Sequence, residues 1–264
     1  MSTPPQVPSR APVVLLAGPG ASTNAVWHAL RSRFGDVPVV LEQPVPAARL
    51  LRRRLRTLGP VTVAGQLAFG LLVRPWLRRA GARRIATIVR DAALDERPIT
   101  GTVVRVPSVN SVEARAALAA FAPAVVVVNG TRIIGRETLR AVDVPFLNVH
   151  AGITPAYRGV HGAYWALADR RPELAGSTVH YVDERIDTGG IVAQSTVAIT
   201  RDDNFATYPT LQLAAALPAL LDAVAAALAG APPSSRRRDD LPSRLHSHPT
   251  AWGYLWRRLR RGVR

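Results

Sequence analysis

The sequence predicts an α/β fold: a doubly wound, mostly parallel twisted sheet, Rossmann-like, with a helical insertion after the second strand. Three observations predict it. Short all-apolar runs recur along the chain, as strands buried on both faces of a parallel sheet require. Helix-length segments, not two-residue turns, separate most of them. The first run ends in Gly18-Pro19-Gly20 and leads into a helix, the opening of a doubly wound unit.

Residues 1–11 are polar and proline-rich, with no apolar stretch after a basic start, and read as a disordered tail, not a signal peptide. Val13 to Ala17 is the first buried strand. Ser22 and Thr23 are candidate caps for a helix from about Asn24 to Phe34. Val37 to Leu41 is the second strand. Residues 45–92 then interrupt the rhythm with two or three arginine-rich helices. Inside them Thr57 to Val73 carries no charge. Its length is at the lower limit for a membrane span and its glycines weaken that reading. It reads either as a half-buried helix of the insertion or as an interfacial element with arginines and Trp76 at the headgroups.

Alternation resumes at Gly101. Thr102 to Val106 is a strand, Ser111 caps a helix to Phe121, and Ala124 to Val128 is a strongly apolar central strand ending at Asn129-Gly130. A short helix over Arg136 to Val142 precedes a strand at Pro145 to Val149, and Ala163 to Arg171 is helical. Thr178 to Val182 and Ile191 to Val197 read as a strand pair joined by a tight turn at Asp187-Thr188-Gly189-Gly190. A long alanine- and leucine-rich helix covers Ala206 to Ala229. The domain is expected to span 12–230, and 231–264 to be a basic tail ending in Trp252, Tyr254, Trp256 and an arginine cluster.

Composition excludes several chemistries. The chain has no cysteine, so disulfide frameworks, thiolate metal sites and cysteine nucleophiles drop out. All 34 basic residues are arginine, which removes lysine Schiff bases and lysine-dependent phosphate loops. The net charge of +16 would attract nucleic acid, anionic membrane or anionic small molecules. It is unevenly placed: residues 1–99 carry +10, residues 201–264 carry +5, and the middle segment only +1.

The middle segment holds the candidate chemistry. Asn148 and His150 stand two apart at the end of a predicted strand, so period-two alternation turns both to one face. The carboxyl edge of a parallel sheet is where open α/β folds bind ligands. An amide can stabilise an oxyanion and an imidazole can move a proton. A structural cap at the strand end is the plainer alternative. Glycines 159 and 162 of the following loop would let backbone approach a ligand closely. Asp187 can orient a histidine or simply form its turn.

The stretches FLNVHAGITPAYRGVHGAYWAL and GSTVHYVDERIDTGGIVAQ together resemble the 10-formyltetrahydrofolate-dependent formyltransferase family. The resemblance rests on Asn-x-His, a proline loop with a Tyr/Arg-Gly step, Thr-x-His-x-Val, and an aspartate seven residues after that histidine. It is dense from about Ala122 to Val197, loose over 11–41, and absent over 45–92 and after 232. It implies that Asn148, His150 and Asp187 form the catalytic trio. It implies that Thr131, Arg132, Ile133 and Ile134 hold the pterin ring of 10-formyltetrahydrofolate by their backbone, with Val182, Asp183 and Glu184 across the pocket. His180 takes a supporting role at the substrate, and His161 reads as loop structure. Histidines 28, 246 and 248 belong to no constellation. Gly18, Gly20 and Ser22 resemble the substrate-phosphate loop of glycinamide ribonucleotide transformylase, where helix-start amides bind an anion. Pro19 lacks the amide and the loop is one residue longer, and Ala151-Gly152 replace the commoner proline-serine, so a plain strand-to-helix turn stands beside that reading.

The expected activity is transfer of a formyl group from 10-formyltetrahydrofolate, without a metal, to the amine of a small molecule such as an amino sugar. A hydrolase using water and a glycinamide ribonucleotide formyltransferase are the alternatives within the family. A basic nucleic-acid-binding protein is the alternative outside it, but aromatic residues are only 6% and no nucleic-acid motif appears. The expected location is cytoplasmic, with peripheral contact at an anionic membrane open, as is a homodimer.

Overall fold

The computed structural model describes residues 12–264, so the expected tail at 1–11 lies outside the described residues. A seven-stranded sheet organises the chain in the order β3-β2-β1-β4-β5-β7-β8. Its strands are β1 (Val13–Ala17), β2 (Val39–Glu42), β3 (Val103–Val106), β4 (Val125–Asn129), β5 (Phe146–His150), β7 (Gly176–Tyr181) and β8 (Ile191–Thr196). The first five run parallel, while β7 and β8 are each antiparallel to their neighbour. Val13, Leu15 and Ala17 of β1 enter one core layer and Val14 and Leu16 the other, which is why this strand has no polar position.

The first layer is closed by α1 (Ala21–Phe34) and α9 (Tyr208–Leu228), the second by α6 (Val112–Phe121). The 21 residues of α9 are long and apolar enough to cross a membrane, yet its buried face packs on the sheet. Ser111 caps α6 as expected, its hydroxyl accepting from the Ala114 amide at 3.3 Å.

Several boundaries differ from expectation for local reasons. Gly20, not Ser22 or Thr23, occupies the N-cap of α1. Thr23 lies inside the first turn and donates back to the Gly18 carbonyl at 2.6 Å. The second strand starts at Val39, because Val37 turns its carbonyl to the Trp27 indole and Pro38 presents only its carbonyl to β1. The short helix α7 (Arg136–Leu139) stops before Val142, and α8 (Gly162–Ala168) stops before Arg170, whose φ is 59°. The DTGG segment is no tight turn: residues 182–190 form a longer loop, with Asp187 itself at a left-handed φ of 49°.

The insertion is helical throughout: α2 (Ala47–Leu58), α3 (Pro60–Ala68), a π-turn over Phe69–Val73, α4 (Arg74–Ala80) and α5 (Ala82–Asp91). Residues 231–264 do not trail away as a tail. The short strand β9 (Leu245–His246) pairs in parallel with β6 (Arg158–Gly159), and α10 (Ala251–Arg261) packs on α3 and the π-turn. Phe69, Tyr164, Phe205 and Tyr254 share a separate aromatic core that joins the insertion, α8 and this last segment.

Candidate active site

The carboxyl ends of β4 and β5 open into a cleft of about 810 Å³. Asn148, His150, His180 and Asp187 all line it. Antiparallel pairing sets Asn148 opposite His180. Their side chains meet, Asn148 Nδ2 to His180 Nε2, at 3.0 Å. The Tyr181 carbonyl accepts from His180 Nδ1 at 2.7 Å, so that nitrogen carries the hydrogen and Nε2 accepts from the Asn148 amide. The carboxamide is thereby fixed, with one N–H left to donate elsewhere.

His150 is buried, 7% exposed. Its Nε2 donates to the Tyr157 carbonyl at 2.8 Å, which directs Nδ1 to Asp187 Oδ2 at 3.4 Å. Burial pushes the imidazole below the usual histidine range, and the Asp187 carboxylate and Tyr157 carbonyl pull the other way. Burial alone would raise the Asp187 carboxyl. Proximity to His180, whose Nε2 lies 3.7 Å from Asp187 Oδ1, to the His150 imidazole and to the Gly159 amide outweighs it and holds the acid below its ordinary value. The Gly159 N–H reaches Asp187 Oδ2 at 2.9 Å. An amide donor, a buried imidazole and an ionised carboxylate thus converge at one sheet edge, the parts of an oxyanion and proton-relay site.

Gly130, Thr131, Arg132, Ile133 and Ile134 form another wall, with Val182 and Asp183 across from it. The amides of Ile133 and Ile134 have no hydrogen-bond partner among the described residues, so this wall can meet the edge of a planar heterocycle. That is a fit for a pterin. The Arg132 side chain does not serve the cleft: its guanidinium bonds the carbonyls of Gln43 and Pro107 and lies 3.1 Å from the buried Glu42 carboxylate. Glu184 also turns away, its carboxylate held by Arg136 at 2.6 and 3.0 Å. Asp183 accepts from Thr188 at 2.7 and 2.8 Å and shapes the loop carrying Asp187.

Other expected residues sit elsewhere. Gly18, Gly20 and Ser22 do not line the cleft. Gly18 instead packs against the Gly130 carbonyl, and the Ser22 hydroxyl is 3.3 Å from the Asn129 amide. Gly159 does line the cleft and donates to Asp187, whereas Gly162 does not line it; the close approaches at both are made by the protein's own backbone, at His246 and at Gly152 with Ala151. His161 caps α8 and contacts His248 at 2.9 Å beside Phe205. His28 pairs with Asp95 at 3.3 Å, outside the cleft.

Five lining residues carry no signal in the sequence: Leu58 from the insertion and Leu245, His246, Ser247 and His248 from the last segment. The β6–β9 pairing brings the latter in, and two short runs pairing across the chain leave no pattern to read. Among the described residues, no group of three or more His, Cys, Asp or Glu is placed to hold a metal ion.

The formyl transferase family model matches residues 76–223. A methionyl-tRNA formyltransferase of Anaeromyxobacter dehalogenans (strain 2CP-1 / ATCC BAA-258) is 32% identical over 187 residues, covering 65% of this chain and 59% of that protein. The chain thus spans well under two thirds of that relative. A sugar N-formyltransferase from Shewanella sp. FDAARGOS_354 has a similar structure, with TM-score 0.51, 16% identity, and coverage of 88% of this chain and 76% of that one. An N-formyltransferase from Helicobacter canadensis, in complex with folinic acid and dTDP-3-aminofucose, gives TM-score 0.53 at 13% identity, covering 89% and 70%. At these identities the structural matches speak for the fold alone.

Proposed function

Because the chain belongs to the formyl transferase family, we propose that it moves a formyl group from 10-formyltetrahydrofolate to the amine of a small molecule, an amino sugar or another specialised metabolite. The observation that carries this reading is the Asn148–His180 and His150–Asp187 pairing in one cleft whose opposite wall offers free backbone amides.

When bound, the formyl donor supplies an electrophilic carbonyl carbon. The remaining N–H of Asn148 donates to that carbonyl oxygen as it gains charge. His180 keeps the carboxamide from rotating away. As the amine bonds to the formyl carbon, His150 would take up the proton it sheds at Nδ1, the nitrogen beside Asp187, with Asp187 stabilising the imidazolium. Passing that proton on to the folate nitrogen as its bond to the formyl carbon breaks would release tetrahydrofolate and restore neutral His150. Burial keeps His150 neutral beforehand and thus able to accept. Ile133 and Ile134 would hold the pterin by backbone, and Leu245 to His248 would face the acceptor. The near-neutral cleft segment argues for a small acceptor.

Incubation of the enzyme with 10-formyltetrahydrofolate and a panel of amino sugars, followed by tetrahydrofolate absorbance, tests this. Acceptor-dependent release is expected. Equal release without any acceptor would make the protein a hydrolase instead.

A further inference from the structure

The helices outside the cleft carry a face that the fold leaves uncovered among the described residues. In α10, Trp252, Leu255, Trp256 and Leu259 recur at helical spacing, forming one stripe. This stripe points outward: Leu259 is 84% exposed, while Tyr254, on the opposite side of the helix, is 1% exposed and fills the aromatic core. The helix is therefore apolar on two sides, one buried and one not, with Arg257, Arg258, Arg260 and Arg261 flanking them.

The neighbouring helices repeat the pattern. Leu51, Leu55 and Leu58 of α2 fall within an arc of roughly 60° at ~100° per residue. No residue of that helix is buried. At the π-turn, Leu71 and Leu72 are each 73% exposed. The pieces are contiguous: α2 packs on α3, α10 packs on α3 and the π-turn, and the Arg258 guanidinium lies 5.6 Å from the ring of Trp76 on α4.

Charge sorts the possible occupants. Residues 45–92 and 251–264 together hold sixteen arginines and a single acid, Asp91. A second copy of the chain would set that cationic surface against its own like. An RNA would satisfy the arginines yet leave the leucine and tryptophan stripes in water. An anionic bilayer satisfies both, with side chains at the acyl boundary and guanidinium groups among the headgroup phosphates. We infer that this face seats the protein on an anionic lipid surface, with α10, α2 and the π-turn lying in the interfacial plane. Leu58 belongs both to this face and to the wall of the cleft, so the seated protein presents its cleft beside the lipid surface.

Co-sedimentation of the full chain with vesicles of phosphatidylcholine, with and without about 30 mol% phosphatidylglycerol, tests the inference. The decisive variant is L71Q/L72Q/W256Q/L259Q, which keeps the charge; L71Q/L72Q alone is the milder control if the fourfold change lowers thermal stability. The wild type should pellet with anionic vesicles only. The variant should bind them at least about tenfold more weakly while binding tRNA as before. Four results would overturn the inference. They are no pelleting of the wild type, equal pelleting of the variant, parallel loss of tRNA binding, or a wild-type dimer that the variant dissolves.

Discussion

Asn148 and Trp256 stand for two regions built on opposite plans. At the centre of the cleft the polar side chains are partnered within the protein: Asn148 with His180, His150 with Tyr157 and Asp187, Asp187 with Gly159. On the helical face, leucines and tryptophans point outward, and the arginines of α2 form no ion pair among the described residues. The cleft is closed upon itself and tuned by burial. The face is incomplete and tuned by charge. Polar residues committed to each other in this way define chemistry. Apolar residues left without a partner define contact.

The comparison breaks most visibly at the cleft. Asn148→Ala removes an oxyanion donor, and Asp187→Asn removes the carboxylate that steadies His150. Each should cost about 100- to 1000-fold in kcat. Thermal unfolding should shift little for Asn148→Ala, whose side chain is only half-buried. Steady-state tetrahydrofolate release beside a melting curve separates the two. A variant with wild-type turnover would remove its residue from the mechanism.

The seam between the regions is expected to respond to acid. His161 and His248 touch each other there, and Gln66 of α3 donates to the His248 carbonyl at 2.9 Å. Burial and the neighbouring His248 and Arg74 push His161 down to about 3. Burial, then Arg54 and Arg74 of the helical face, push His248 down to about 4. Both remain neutral in the folded protein where the unfolded chain, near 6.5, already takes up protons. Stability should therefore be full above pH 6.5 and fall as pH drops towards 4. Between pH 6.5 and about 4.5 each of the two histidines should account for on the order of 2 kcal/mol. Urea midpoints of the wild type and His248→Gln at both pH values measure it. An identical acid loss in the variant would clear His248.

How far the sequence reveals each region follows from the same contrast. The all-apolar runs at β1 and β4 announce a two-sided sheet, and period-two spacing places Asn148 and His150 on one face. The pairing of Asn148 with His180 depends on the register of an antiparallel strand, which no local pattern records. The wall at Leu245 to His248 depends on two residues of β9 finding β6. Composition marks 45–92 as arginine-rich and apolar by turns, but only the buried Tyr254 shows that the α10 stripe faces outward. Residues 231–264 looked like a tail because their core contacts are few and aromatic, not periodic.

A smaller effect belongs to the junction of α10 with α3. A Cβ at Gly65 would collide with the Trp252 ring and stand 2.7 Å from Thr250 Cβ. Gly65→Ala should cost about 1–3 kcal/mol through overpacking. It should expose the arginines of α10 to trypsin sooner, while kcat stays nearly unchanged. A fall in kcat as large as that of Asn148→Ala would mean that the two regions are not separable.

The smallest effect is on α2, and its sign is the informative part. Arg49 and Arg53, and Arg52 and Arg56, are like charges one turn apart on a helix without a buried residue. Each such pair destabilises a helix by about 0.2–0.5 kcal/mol. Arg53→Gln with Arg56→Gln should therefore raise stability by a few tenths of a kcal/mol at low salt. The gain should vanish near 1 M salt, where screening acts within about 3 Å. Chemical unfolding at both salt concentrations reads it. Residues held at a cost to the fold need a benefit outside the fold, and an anionic lipid surface supplies one. If the double variant were instead less stable, these arginines would have structural partners, and the contrast between a self-contained cleft and an open basic face would lose its electrostatic half.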